Sequence, residues 1–334
     1  MSKGSAPLTI EIAERRCTVR DVTDADSAAV VALHNRVFDA AGADESWFRW
    51  KYGAGSGEAV GLWDDTDTLV AYCGGVPRPL FQDGRPVAGI QIGDVMVAPE
   101  WRGVLTRRGP FYQVSQRFYQ TRIGPERPHQ VAFGFPSERH LRLAVALDLL
   151  WDGGPIHNLQ WPATAPVHTG GWRWRPLAPE AGFDALVTRA WAAMRESLSG
   201  VTLGQRDSRY VRWRFVDFPG RQYRFFGLKR HWFGRACGLA VLRLEPKLAQ
   251  WLDWIGPPEL MPHAVLAARA EAARVGALAL TAWASPYVAQ QLASTGAAVA
   301  GAAAWLGLPT TSCLSPAQRA SARWWWMGGD TDFL

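Results

Sequence analysis

The sequence predicts a mixed α/β protein built as two tandem copies of one strand-and-helix plan. Three matches carry that prediction. DESWFRWKYG from Asp44 and DSRYVRWRFVD from Asp207 share the pattern D-x-x-aromatic-apolar-R-W-basic-aromatic. Upstream of them, Val19-Arg20-Asp21-Val22-Thr23 resembles Trp174-Arg175-Pro176-Leu177-Ala178. Downstream, an apolar strand gives way to a helix at Ser137 and again at Ser285. The matches keep their order in both halves, as an internal duplication requires and isolated chance matches do not.

Composition agrees and narrows the class. The 334 residues leave room for two domains. With 48% hydrophobic and 20% charged residues, the chain is neither disordered nor fibrous. No apolar run approaches the length of a membrane-spanning helix; the longest, Ala297 to Leu308, is short and rich in Ala and Gly. The opening residues MSKGSAPLTI lack an apolar signal core, so a cytoplasmic location is expected. Cys17, Cys73, Cys237 and Cys313 stand far apart without a C-x-x-C pair, which argues against a disulfide framework or zinc ribbon. The 36 Lys and Arg exceed the 30 Asp and Glu, so the net charge of +6 suits either solubility or an anionic partner. The 18 Trp residues are expected mostly in the core.

The elements follow in order. Val19 to Val22 reads as a strand, and Thr23 or Asp24 caps a helix reaching about Ala41. A short helix spans Glu45 to Tyr52, followed by strands over 59–63 and 69–76. Asp83-Gly84 signals a hairpin. A long strand runs from Val87 to Val97, a helix from Gly109 to about Tyr119, a strand from Gln130 to Phe135 and a helix from Ser137 to Leu147. The Gly-, Pro- and Trp-rich stretch 151–179 holds the last strands of the first half and the crossover. The second half repeats the plan, with helices over 180–198, 207–215, 259–274 and 287–294 and strands over 223–228, 236–244, 250–255 and 277–283. The domains are expected at 1–165 and 166–334.

The most informative segment is GDVMVAPEWRGVLTRRGPFYQVSQRFY from Gly93. An apolar strand ends at Val97, a loop carries Arg102, Arg107 and Arg108, and Gly109-Pro110 opens a helix. Unpaired N–H groups at a helix start, with arginines nearby, suit phosphate oxygens. A solvated loop whose arginines pair with surface carboxylates would read the same.

This strand, V-x-P-x-x-R-G loop and helix resemble the acyl-CoA loop of the GNAT N-acetyltransferase superfamily. VAFGFPSERHLRLAVALDLL from Val131 resembles the family's next strand, turn and helix, and LALTAWASPYVAQQLASTGA in the second half has the same outline. The resemblance covers both halves and implies two tandem GNAT-like domains of α/β class, α+β with a mixed sheet. It implies acyl-CoA, acetyl-CoA first, lying in a gap beside the strand. Val95, Val97, Arg102, Gly103, Arg107, Arg108 and Gly109 would hold it, and the amide of Val97 or its neighbour would face the oxyanion.

The departures are specific. The family loop reads Q/R-x-x-G-x-G/A, and here Leu105 and Arg107 stand at the glycine positions. Ala144 stands where a general-acid tyrosine is common, so Tyr112 or Tyr119 would have to reach in from the preceding helix. The family's closing Gly-aromatic pair becomes Asp148-Leu149. The second half has Leu292 at the acid position and only Gly-Pro-Pro after Ile255, so it lacks a phosphate loop.

Acyl transfer to an amine needs a proton acceptor, an oxyanion donor and close positioning of the reactants. Asp94, Glu138 and His140 are the candidate bases, and Tyr112 is a candidate acid. His34 and His263 read as packing or surface residues. The tail GGDTDFL could dock on a basic cleft or fray. Three functions compete: an acyl-CoA-dependent N-acyltransferase acting on a small-molecule amine, the same scaffold served by aminoacyl-tRNA or a carrier protein, and a non-catalytic binding protein. No membrane partner is expected.

Overall fold

The structure, a computed structural model, describes residues 6–38, 43–165, 171–230, 235–320, 323–331 and 333–334. The first half contains β1 (Leu8–Ile12), β2 (Arg15–Asp21), α1 (Ser27–Phe38), α2 (Glu45–Lys51), β3 (Glu58–Trp63), β4 (Leu69–Pro77), β5 (Leu80–Gln82), β6 (Arg85–Val87), β7 (Gly89–Val97), α3 (Pro110–Arg122), β8 (Val131–Gly134) and α4 (Glu138–Ala146). The second contains β9 (Leu150–Pro162), β10 (Trp172–Leu177), α5 (Phe183–Ser197), β11 (Thr202–Gly204), α6 (Ser208–Val211), β12 (Arg224–Arg230), β13 (Ala236–Glu245), β14 (Leu248–Ile255), α7 (Met261–Arg274), β15 (Ala279–Ala284), α8 (Pro286–Gln291), β16 (Ala298–Pro309), α9 (Pro316–Ala320) and β17 (Trp324–Trp325).

The sequence duplication is a duplication of structure. Asp44 caps α2 by accepting from the Trp47 N–H, and Asp207 caps α6 by accepting from the Tyr210 N–H. The second motif then widens into a π-helical turn, Arg212–Val216. Ser137 and Ser285 each stand at the N-cap of the helix that follows the fifth major strand.

Compactness divides the chain into two units that are not continuous halves. Unit 1 comprises residues 1–79, 87–154 and 305–320; unit 2 comprises 80–86, 155–304 and 321–334. This differs from a division at 165/166, and the strand orders give the reason. In unit 1 the order is β1-β2-β3-β4-β7-β8, with Gly307 of β16 opposite Gly134 of β8. In unit 2 it is β10-β12-β13-β14-β15, with residues 157–162 of β9 opposite β15. Each unit therefore takes its last strand from the segment that follows the other repeat's last helix.

The core of unit 1 lies on β3 and β4, which are buried almost throughout. α3 covers them with Val114, Phe118 and Tyr119, spaced for one helical face. Of the strands that escaped the sequence reading, β1 and β16 did so for identifiable physical reasons. β1 joins β2 through Ala13 (φ 50°) and Glu14 (φ 65°), a left-handed turn without the usual Gly or Asn. β16 is built largely from Ala and Gly, residues depleted in strands. Asp83 (φ 50°) and Gly84 (φ 74°) do form the expected hairpin turn, between β5 and β6.

Candidate functional site

The site in unit 1 begins where two parallel strands separate. β7 pairs with β8 from Gly89–Val131 to Ile92–Gly134, and β7 then runs on to Val97 without β8. At that point β7 also bulges against β4: Gly74 faces Gly93, but Tyr72 faces Met96. Asp94 absorbs the bulge in the left-handed region, φ 52°. Beyond the separation Gly93, Asp94, Val95 and Val97 are half-exposed, whereas Ile90 and Met96 are buried. Half-buried Val95, Val97, Phe111 and Leu143 all pack against the unit's core.

The loop after β7 leads to the N-terminus of α3. Gly109 is the N-cap and has no side chain with which to cap the first helical N–H groups. Glycine is also required sterically, because a Cβ there would stand 1.9 Å from the Val104 carbonyl oxygen. The loop is pinned from both sides. Gly109 N–H donates to the Thr106 carbonyl (2.8 Å), and Gln113 Nε2 donates to the Arg107 carbonyl (2.7 Å). Residues 102, 103 and 105–108 are exposed.

The three arginines behave differently. Arg102 Nε donates to the Val97 carbonyl at 3.0 Å, closing the loop on its strand. Arg107 forms an ion pair with Asp148, which sits at φ 57° just past the end of α4. Two departures from the family pattern thus answer one another: the arginine at a loop glycine position pairs with the aspartate at the helix-closing glycine position. The Arg108 guanidinium makes no side-chain hydrogen bond or ion pair among the described residues.

Of the candidate bases, Asp94 is engaged. Its Oδ2 is ion-paired with Lys51 Nζ at 2.5 Å and accepts from the Tyr52 hydroxyl at 2.6 Å. Lys51 is only 2% exposed, with its Nζ 5.6 Å from the centroids of Trp47 and Tyr52. Burial, then the Asp94 charge, push the Tyr52 hydroxyl well above the ordinary tyrosine range, so it stays a donor. Glu138 faces solvent and pairs with Arg142 one turn along α4 (2.5 Å). His140 is half-buried on the first turn of α4, its ring 4.9 Å from Phe111 at the start of α3. Desolvation lowers its pKa from the ordinary histidine value. Tyr112 is buried, and its hydroxyl oxygen accepts from Gln116 Nε2 at 2.6 Å. Tyr119 is packed into the core beside Phe118, and burial raises its pKa well above the ordinary value. The structure thus brings His140 beside the α3 N-terminus and leaves Glu138 on the surface. The His34 ring packs at a tilt against Phe38 and Trp47, and His263 stacks on Trp172.

Lys51 and Tyr52 are site residues that the sequence reading does not include. The signal was present: they are the basic-aromatic end of the duplicated motif. Their counterparts Arg214 and Phe215 show the alternative use of that position. Arg214, 1% exposed, donates through Nε to the carbonyls of Gly329 (3.2 Å) and Thr331 (2.8 Å) and through Nη1 to the Tyr223 hydroxyl (3.0 Å).

Those carbonyls belong to a segment that fills the corresponding gap in unit 2. β14 and β15 meet at Gln250 and Thr281. Beyond that pair Met327 bridges to Ala284, and the Ser285 N–H donates to the Trp326 carbonyl at 2.9 Å. Gly328 packs against Leu252, and Gly329 lies so close to Asp253 and Phe215 that a Cβ there would stand 2.9 Å from each. Asp330 is fully buried and ion-paired with Arg206, whose Nε also meets Asp253 at 3.0 Å. The described part of the tail is therefore docked within unit 2 rather than frayed; Asp332 lies outside the described residues.

Comparison with known proteins agrees with this geometry. Residues 18–142 match a family described as an acetyltransferase (GNAT) domain. Residues 18–142 thus carry a GNAT-type domain. That domain places the chain in the acyltransferase class. A GCN5-related N-acetyltransferase from Kribbella flavida superposes with a TM-score of 0.63 at 18% identity, covering 88% of this chain and 71% of that one. A probable N-acyltransferase of unknown function from Enterococcus faecalis gives 0.66 at 11% identity, covering 87% and 71%. The Saccharomyces cerevisiae N-myristoyltransferase with bound myristoyl-CoA gives 0.60 at 10% identity, covering 91% and 80%. At these identities the superpositions speak for the fold, which in this chain is the tandem GNAT fold. No curated protein matches the sequence. Among the described residues no helix is long and apolar enough to cross a membrane.

Proposed function

We propose that unit 1 takes an acyl group from acyl-CoA, acetyl-CoA first, and passes it to the amine of a small molecule. The observation that carries this reading is the separation of β7 from β8 directly before a helix whose N-terminus is uncapped and flanked by arginines. The fit is local. The missing Cβ at Gly109 lets the loop close on the helix start, and helix-start N–H groups with the positive dipole end attract phosphate oxygens.

Acyl-CoA would supply a thioester carbonyl already activated for attack. The protein's residues would do the rest. The amides around Gly103 to Gly109, with the Arg102 and Arg108 guanidinium groups, hold the pyrophosphate. Arg107 joins them by exchanging Asp148 for phosphate. Val95 and Val97, on the free edge of β7, offer backbone N–H groups to the carbonyl oxygen, where negative charge grows during attack. His140 accepts the proton of the attacking amine; its lowered pKa keeps the imidazole neutral and able to do so near pH 7. Asp94 holds the bulge in place and is not the base, because Lys51 and Tyr52 already occupy its Oδ2. Tyr112 gives its proton to the leaving thiolate; its oxygen accepts from Gln116, which leaves the O–H free to donate.

The test is thiol release from acetyl-CoA by the purified chain across a panel of primary amines. Amine-dependent release supports the reading. Absence of release together with a salt-sensitive tRNA complex would replace the donor by aminoacyl-tRNA, since phosphate contacts weaken with salt. Absence of both would leave a binding protein.

A further inference from the structure

Unit 2 holds a second cleft, formed by the end of β10, the loop before β12 and the last turn of α7, that the proposed transfer does not use. Its volume is about 380 Å³, at the small end of ligand pockets. Phe215, Phe225 and Phe226 supply apolar lining, and Arg221, Arg224 and Arg274 supply charge. The arginines are not equivalent. Arg274 is already ion-paired with Glu271, and Arg224 is exposed. Arg221 is half-buried, with its Cζ 5.6 Å from the centroid of Phe218. Its Nη1 is shut off from solvent and has no hydrogen-bond partner among the described residues. Glu245, the acid that feels its charge, is held by Arg243 Nε at 2.6 Å.

A guanidinium nitrogen removed from water without an acceptor carries a free-energy cost that a bound acceptor relieves. A planar carboxylate fits the guanidinium fork. The apolar lining penalises every further charge, and one of the three arginines is already neutralised, so a single negative charge suffices. We infer that this cleft binds a monocarboxylate with an apolar body, the carboxylate on Arg221 and the body against the phenylalanines. The inference goes beyond the acyl-transfer reading and does not depend on it.

Calorimetric titration of the full chain tests it, with octanoate and phenylacetate as probes and the neutral octan-1-ol and 2-phenylethanol as controls. Saturable binding of at least one acid is expected, with its alcohol weaker by about tenfold or more. Arg221→Gln should lose binding by a similar factor while its circular dichroism and thermal midpoint stay those of the parent. Failure of both acids to bind, equal binding of acid and alcohol, or undiminished binding to a folded Arg221→Gln chain would overturn the inference. The acid–alcohol contrast uses the unaltered chain, so it decides the matter even if the variant misfolds.

Discussion

In unit 1 the β7–β8 ladder stops at Ile92 and Gly134, and the strand beyond carries half-exposed Gly93, Asp94, Val95 and Val97. In unit 2, β14 passes Gln250, its point of contact with β15, and every later residue of the strand is buried, with Gly328 and Gly329 packed against it. Both strands bulge at this place, and both bulges carry an aspartate held by a buried cation: Asp94 by Lys51, Asp253 by Arg206. The same duplicated scaffold thus opens a gap twice. One is flanked by an arginine-bearing loop and an uncapped helix. The other is filled by the chain's own residues 326–331, and a Gly-Pro-Pro turn follows its strand. What separates a candidate site from a packed core is the loop and the occupant, while the sheet is the same.

The largest effect should come from cutting the chain between the repeats. Unit 1 needs residues 305–320 and unit 2 needs residues 80–86 and 155–162, so a 1–165 fragment lacks the strand that pairs with β8. It should show no cooperative thermal transition; a fragment unfolding as sharply as the whole chain would show that the units are separable at that point. Next comes the plug of unit 2. Asp330→Ala leaves Arg206 and Asp253 buried with the triad broken, a loss of about 3–5 kcal/mol in chemical denaturation. A loss under about 1 kcal/mol would mean the segment contributes little to unit 2.

Within unit 1, Gly109→Ala forces a Cβ onto the Val104 carbonyl and should weaken acetyl-CoA binding by about tenfold or more, with a loss of about 1–3 kcal/mol in stability as the loop shifts. Gly256, at the start of the corresponding turn in unit 2, should have no effect on that affinity when changed. With His140 as the proton acceptor, kcat/KM should have an acid limb lying below the ordinary histidine range, because burial lowers its pKa, and His140→Gln should abolish that limb. The sign for stability is the same. A histidine with a lowered folded pKa contributes stability that is fully present above its unfolded value and is lost as pH falls from there through the lower folded value. The smallest effect belongs to Arg107 and Asp148. Both are well exposed, so Arg107→Ala should change stability by no more than about 1 kcal/mol.

The sequence disclosed the duplication, most element positions and the loop-to-helix site, because those rest on local signals: apolar periodicity, Asp and Ser caps, and Gly109-Pro110. It did not disclose the exchange of last strands, which depends on pairing between residues as distant as Gly134 and Gly307. Nor did it separate the candidate bases. Asp94, Glu138 and His140 look alike as titratable residues near a strand end. What distinguishes them is that Lys51 and Tyr52 engage the first, Arg142 engages the second, and Phe111 shields the third. Arg107 and Asp148 lie 41 residues apart, and only the fold brings them together as an ion pair.

The central claim is that the acyl donor binds the parted strands of unit 1 and not those of unit 2. Hydrogen exchange of the full chain with and without acetyl-CoA measures this directly. Amides of residues 93–97 and 102–112 should be protected by the donor, while residues 252–262 and 326–331 exchange unchanged. Protection confined to unit 2, or no protection in the loop and first turn of α3 at a saturating donor concentration, would contradict the claim.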